Sequence, residues 1–188
     1  MKTIKEFELV TANDIIEEVL EKFKSSIGKY FESYRNHVYR VVNFCILNMR
    51  QHCNIDSDTI EKIAIASVYH DLGIWTSNTW DYLQPSIKMA KDYLSLRNKI
   101  LWIDEISLMI DMHHKIKPYK GPNRLMVESF RRADLMDIPG RSTFGISPNH
   151  IQSINEHFSD KSFKKYIYKR IVIEFIKKPW NPLPMIKL

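Results

Sequence analysis

Ser57-Asp58-Thr59-Ile60-Glu61-Lys62-Ile63-Ala64-Ile65-Ala66-Ser67-Val68-Tyr69-His70-Asp71-Leu72-Gly73 decides the fold class. Ile60, Ile63, Ala64 and Ser67 recur at the three-and-four spacing of one helix face, and Asp56 or Ser57 can cap its start. Gly73 is expected to be the left-handed residue that ends the helix. The same period carries a polar pair to that end. His70 stands four after Ala66 and seven after Ile63, on the buried stripe, and Asp71 follows where the chain turns away. Helix neighbours diverge by about 100°, yet at a terminus both side chains can reach one ion.

On either side of this stretch the spacing stays helical. A first helix starts near Thr11 or Asn13, carries Ile15, Ile16, Val19, Leu20 and Phe23 on one stripe, and stops near Gly28. A second runs from about Tyr30 to Cys53. Residues 76 to 84 read as a loop holding Trp80, Asp81 and Tyr82, and Pro85 is placed to open a helix reaching about Leu96. Another spans about Ile100 to Lys115, then a turn over Lys117 to Pro122. The segment from Asn123 to Ile138 carries Leu125, Val127, Phe130 and Leu135 before Pro139-Gly140 breaks it. Ser147-Pro148 opens a short helix to His157, and Asp160 caps a last one to about Lys178, ahead of a Pro-rich tail from Pro179 to Leu188. With only 5 glycines in 188 residues and no alternating β-branched runs, the expected fold is all-α, a single compact helical bundle.

A chain that is 44% apolar and 12% aromatic can bury a sizeable core, and its length fits one domain. Its longest apolar windows, Val38 to Leu47 and Ile63 to Tyr69, are too short to cross a bilayer, and Met1 to Glu6 lacks an apolar run of signal type. No membrane partner is expected, and the cytoplasm is the expected place. Cys45 and Cys53 lie too far apart along one helix for easy bridging and read as reduced thiols, one of them buried. The net charge of +6 and pI near 9.2 fit an anionic ligand, although the excess gathers in Lys161, Lys164, Lys165, Lys169, Arg170, Lys177 and Lys178, where a solvated helix face explains it equally well.

Two further polar positions stand on apolar faces. His37 shares its face with Val41 and Phe44, and Asp134 comes four after Phe130 and seven after Val127. A buried carboxylate without a partner is costly or becomes neutral. A cation shared by His37, His70, Asp71 and Asp134 removes that cost. Two imidazoles with two carboxylates suit Mn, Fe, Co, Ni, Zn or Mg and leave coordination positions open. His113 and His114 end a helix backed by Ile106, Met109 and Ile110. Either they complement the helix C-terminus as imidazolium, or they serve the substrate and the ion.

Asn36-His37-Val38-Tyr39-Arg40-Val41, Tyr69-His70-Asp71-Leu72-Gly73 and Arg132-Ala133-Asp134 resemble, in order, the three metal motifs of the HD superfamily of phosphohydrolases. The resemblance covers about residues 31 to 138 and implies an HD domain whose helices bring His37, His70, Asp71 and Asp134 around one divalent ion. His113-His114-Lys115 with the following Tyr119-Lys120-Gly121-Pro122 resembles the His-His segment of two-metal members, the cyclic-dinucleotide phosphodiesterases among them. Those members carry another histidine between the two motifs, a glutamate after the His-His pair and a Gly-Tyr-Pro signature. This chain has Gln84 in the nearest region, Lys115 after the pair and no Gly-Tyr-Pro, which speaks against a second ion and against a cyclic dinucleotide.

The reaction implied is hydrolysis of a small phosphate ester or nucleotide by metal-activated water. Asp71 can bind the ion through one oxygen and orient the water with the other, and Lys115 beside the His-His pair is the expected catalytic cation. His113, His114, Arg131 and Arg132 are expected to bind substrate, with Arg40 a weaker candidate for the same task. Trp75, Trp80 and Tyr82 either wall the pocket or fill the core. Two other classes fit the same residues: a di-iron oxygenase, and a non-catalytic module holding a nucleotide or nucleic acid with help from the basic C-terminal helix. The tail from Trp180 to Ile186 can cover its own domain or reach a neighbour.

Overall fold

Asn13 begins the helical part of the chain: its side-chain oxygen accepts from the backbone N–H groups of Ile15 and Ile16, and α1 (Asp14–Ile27) follows. Gly28, at φ 60°, ends it and leads through a single 3-10 turn into α2 (Phe31–Arg50). In α2, 15 of 20 residues are buried on every side, which makes it the central helix of the bundle. Val38, Val41, Val42, Phe44 and Ile46 are each at most 1% exposed, and burying each such side chain stabilises by about 1.5–3 kcal/mol. Cys53 lies past the end of α2, so the helix is shorter than the expected Tyr30 to Cys53. Both cysteines are free thiols, and Cys45 is the buried one.

The computed structural model describes residues 8–187 apart from 78, 139, 141, 160 and 161. The cap expected at Asp160, the break at Pro139, the charge of Lys161 and the stretch Met1 to Glu6 lie outside the described residues. Asp56 caps α3 (Ser57–Tyr69) by accepting from Thr59 N–H. After the turn His70-Asp71-Leu72 comes the single turn α4 (Gly73–Thr76), then α5 (Leu83–Leu96), α6 (Ile103–Met112) and α7 (Arg124–Met136). Ser147, accepting from His150 N–H, and Pro148 open α8 (Pro148–His157), and α9 (Phe163–Lys177) completes the bundle. Among the described residues there is no strand; the one bridge pairs Lys115 with Lys187 in parallel. No described helix is long and apolar enough to cross a membrane.

α2 packs most heavily on α7 and next on α3, α5 pairs with α6, and α8 and α9 lean on the outside of α2. The end of α3 and the C-terminal half of α7 thus meet α2, and α6 packs against α3 and α7 beside them. Gly73 does not act as expected. It is helical, outside the left-handed region. A Cβ there would sit 2.5 Å from the Tyr82 carbonyl oxygen and 2.9 Å from Ser86 Oγ. The glycine is required by close packing of α4 on the start of α5, which also holds the His70-Asp71 turn in place.

Candidate metal centre

α2 supplies His37, the turn after α3 supplies His70 and Asp71, the end of α6 supplies His113 and His114, and α7 supplies Asp134. His37 Nε2 lies 3.0 Å from His70 Nε2. It lies 3.7 Å from Asp71 Oδ2 and 3.8 Å from Asp134 Oδ1. His70 Nε2 is 3.6 Å from each of the same two oxygens. On the other side of Asp71, Oδ1 is 3.5 Å from His113 Nε2, while His114 Nδ1 is 3.8 Å from Asp134 Oδ2. Three overlapping groups result: His37, His70 and Asp134; His70, Asp71 and His113; His113, His114 and Asp134. Within each, the candidate ligand atoms lie within 4.8 Å of one another.

The other ring nitrogens decide what these atoms offer. His70 Nδ1 is 2.6 Å from Ser67 O, and His113 Nδ1 is 2.6 Å from Ile110 O. A carbonyl can only accept, so both Nδ1 atoms carry the proton and both Nε2 atoms of the neutral rings present lone pairs. His37 Nδ1 bonds Asp137 Oδ2 at 2.7 Å, which gives the same orientation. Two lone pairs facing each other at 3.0 Å repel unless a cation lies between them. Donors each about 2.1 Å from one ion and about 90° apart are separated by about that distance. Asp71 Oδ1 and His113 Nε2 are buried with no hydrogen-bond partner. Donor chemistry, orientation and orphaned atoms all fit a divalent ion.

The charges agree. Burial works against charge on His70, but Asp71 and Asp134 override it and raise its pKa to about 9, so without an added ion a proton on Nε2 takes the place that a metal cation would hold, and the neutral ring is the form that binds metal. Burial opposes the carboxylate forms of Asp71 and Asp134 as well, yet the surrounding imidazoles, His70 foremost, hold both below the usual carboxylate range. Burial, reinforced by His113, pushes His114 down to about 3, leaving a neutral ring. The cluster therefore attracts positive charge strongly.

Asp137 was not anticipated from the sequence. It lies three residues after Asp134, just past α7, and its carboxylate accepts from His37 Nδ1–H and from Arg40 Nε–H and Nη2–H. Arg40 itself is fully buried and donates a further bond to Phe158 O at 2.7 Å. Against the pull of burial, His37 and Arg40 keep Asp137 ionised well below the usual range. Such a carboxylate behind a histidine fixes its tautomer and aim. The only clue in the sequence was spacing, Arg40 three after His37 and Asp137 three after Asp134, and neither spacing shows by itself that the two meet.

A cavity of about 360 Å³ opens between this cluster, α9 and the C-terminal tail, with His37, Asp71, His114 and Asp134 on its floor. Tyr82 lines it and its hydroxyl lies 2.6 Å from His114 Nε2. Trp80 lines it too, whereas Trp75 stacks on Tyr166 at 4.8 Å in the packed interior. The expected cations are elsewhere. Arg131 bonds Glu128 through Nε and Nη2, both at 2.8 Å, and Arg132 bonds Glu128 at 3.0 Å. They clamp the carboxylate that also accepts from Tyr119 N–H, and neither is among the residues lining the cavity, so the substrate role expected of them gains no support from the geometry. Lys115 is not among the residues lining the cavity. Its carbonyl accepts from Arg131, and its backbone pairs with the tail. Lys164 is the cation that does line the cavity, 3.4 Å from Asp137 Oδ1.

Comparison with protein-family models, with curated proteins and with solved structures returns no match.

Proposed function

We propose that the protein is a metal-dependent phosphohydrolase of the HD type that cleaves a small phosphate ester. The observation that carries this reading is the aim of three imidazole Nε2 atoms, each fixed from behind through Nδ1, at the two carboxylates Asp71 and Asp134. His37, His70, Asp71 and Asp134 would hold the ion. Bound there, a divalent ion supplies Lewis acidity, acidifying water and drawing charge from a phosphoryl oxygen. Asp71 Oδ1, which no protein donor satisfies, accepts a hydrogen bond from the attacking water and orients its lone pair toward phosphorus. As the new O–P bond forms, the bond from phosphorus to the leaving oxygen breaks, and that oxygen takes up a proton. Tyr82 Oη and His114 Nε2 are hydrogen-bonded to each other on the cavity wall where the leaving group would lie, and this pair supplies that proton. Lys164, beside Asp137, brings positive charge to the phosphate.

A second reading, oxidation at a pair of iron ions, draws support from the further group formed by His113, His114 and Asp134. Metal analysis of the purified protein, with phosphate release from an ester panel under Mn, Co, Zn and Fe, separates the two. Phosphate release that His70→Ala lowers by more than about 100-fold, beyond what loss of an outer partner costs, together with loss of bound metal, supports hydrolysis. Two irons per chain, dioxygen uptake and no phosphate release would overturn it.

A further inference from the structure

We infer that the substrate is a phosphate monoester whose alcohol is apolar, a hydrocarbon or aromatic body rather than a nucleoside or sugar. The inference rests on the hydrolytic reading and comes from the cavity away from its floor. Trp80, Phe163, Ile167, Ile171, Leu183 and Met185 form its walls. Among the described residues lining it there is no Asn, Gln, Ser or Thr. Away from the floor the lining offers the hydroxyls of Tyr82 and Tyr168, and Tyr82 already bonds His114, so a base edge or a row of sugar hydroxyls would leave most of its polar groups unpaired, which weakens binding. Lys164 is the single Lys or Arg among the described lining residues, and it already faces Asp137. With Asp71, Asp134 and Asp137 on the same floor, each phosphate beyond the first would add negative charge with no side-chain cation to meet it. One phosphate on the floor and an apolar body against the walls satisfies both halves.

The apolar wall is built deliberately by the end of the chain. Ile116 N–H donates to Lys187 O at 2.8 Å, and Lys187 Nζ pairs with Asp111. These contacts draw the segment before Lys187 across the opening, so that Leu183 and Met185 face Trp80 in a small apolar cluster joined by Ile167 and Ile171 of α9. The tail thus covers its own domain.

The test is calorimetric titration of the manganese-loaded protein with a ladder of non-hydrolysable alkylphosphonates from methyl to hexyl, with ribose 5-phosphate, AMP and pyrophosphate alongside, and with 1-hexanol alone. Each added methylene is expected to tighten phosphonate binding by about fourfold at most, with hexylphosphonate well ahead of ribose 5-phosphate, AMP and pyrophosphate. Ile171→Asn and Leu183→Ser, at partly exposed positions on two different elements, should each flatten the ladder while methylphosphonate binding stays. A ladder independent of chain length, or tighter binding of AMP or ribose 5-phosphate, overturns the inference. Phosphate release from sugar phosphates with no ladder would sink the apolar body and leave hydrolysis standing. A chain-length dependence for alcohols with no affinity for any phosphonate would instead sink the hydrolytic reading on which the inference rests.

Discussion

Two polar clusters sit on α2, less than two turns apart, and they end differently. In the first, Asn43 accepts from Val10 N–H at 2.9 Å and donates to Val10 O and Tyr39 O at 3.0 and 2.8 Å. Tyr39 Oη donates to Glu17 and accepts from Asn13 N–H, and Arg35 Nε reaches both oxygens of Glu17, at 2.9 and 3.0 Å. Every partner is protein. In the second, His37, His70 and His113 are fixed from behind through Nδ1, yet Asp71 Oδ1 and His113 Nε2 have no hydrogen-bond partner. A network complete in itself ties the segment before α1 to the core. One whose protein partners leave buried atoms unsatisfied is a cluster that could hold a metal ion.

Asp137→Asn attacks the difference most directly. Losing the carboxylate frees His37 to turn and leaves Arg40 buried and unpaired. Metal affinity should fall by about 10–100-fold, read by competition with a chelating dye, and stability by about 3 kcal/mol, read by urea unfolding. Unchanged metal affinity would mean that the second cluster needs no support from behind. Asn43→Ala should cost about 1–2 kcal/mol in the same urea assay, because Val10 is left to water or to no partner. Bound metal per chain should stay as in the parent protein, and a loss of metal would show that the clusters are coupled.

The smallest effect is a pH dependence in the first cluster. Arg35 and Tyr39 outweigh burial and hold Glu17 below its ordinary value. A carboxyl depressed in the folded state contributes stability above its unfolded pKa of about 4.3, and that contribution is lost as pH falls through the lower folded value. Melting temperature followed across about pH 2.5 to 6 should therefore drop less steeply for Glu17→Gln than for the parent. Identical slopes would remove Glu17 from the account.

Much of the helical layout was legible because its causes are local. Asn13, Asp56 and Ser147 cap helices through bonds two or three residues away, and the apolar period places His37, His70 and Asp134 on buried faces. The constraint on Gly73 is not local, since it comes from Tyr82 and Ser86 on and before a different helix, and no helix-ending pattern encodes it. Arg131 and Arg132 looked available beside Asp134, but Glu128 lies three and four residues before them and claims both. That pairing was readable from i,i+3 and i,i+4 spacing. For His113 and His114 the sequence left two roles open, and only the packing of α6 on α7 and α3 turns them toward Asp71 and Asp134.

By itself the sequence determined the all-α class, the helix starts and the inward direction of the polar residues on apolar stripes, since each depends on neighbours within a turn or two. Tertiary structure alone decided that Asp137 stands behind His37 across 100 residues, that Lys164 rather than Lys115 reaches the cavity, and that the tail makes its wall apolar. These depend on how helices distant in the chain cross, and no local period encodes a crossing.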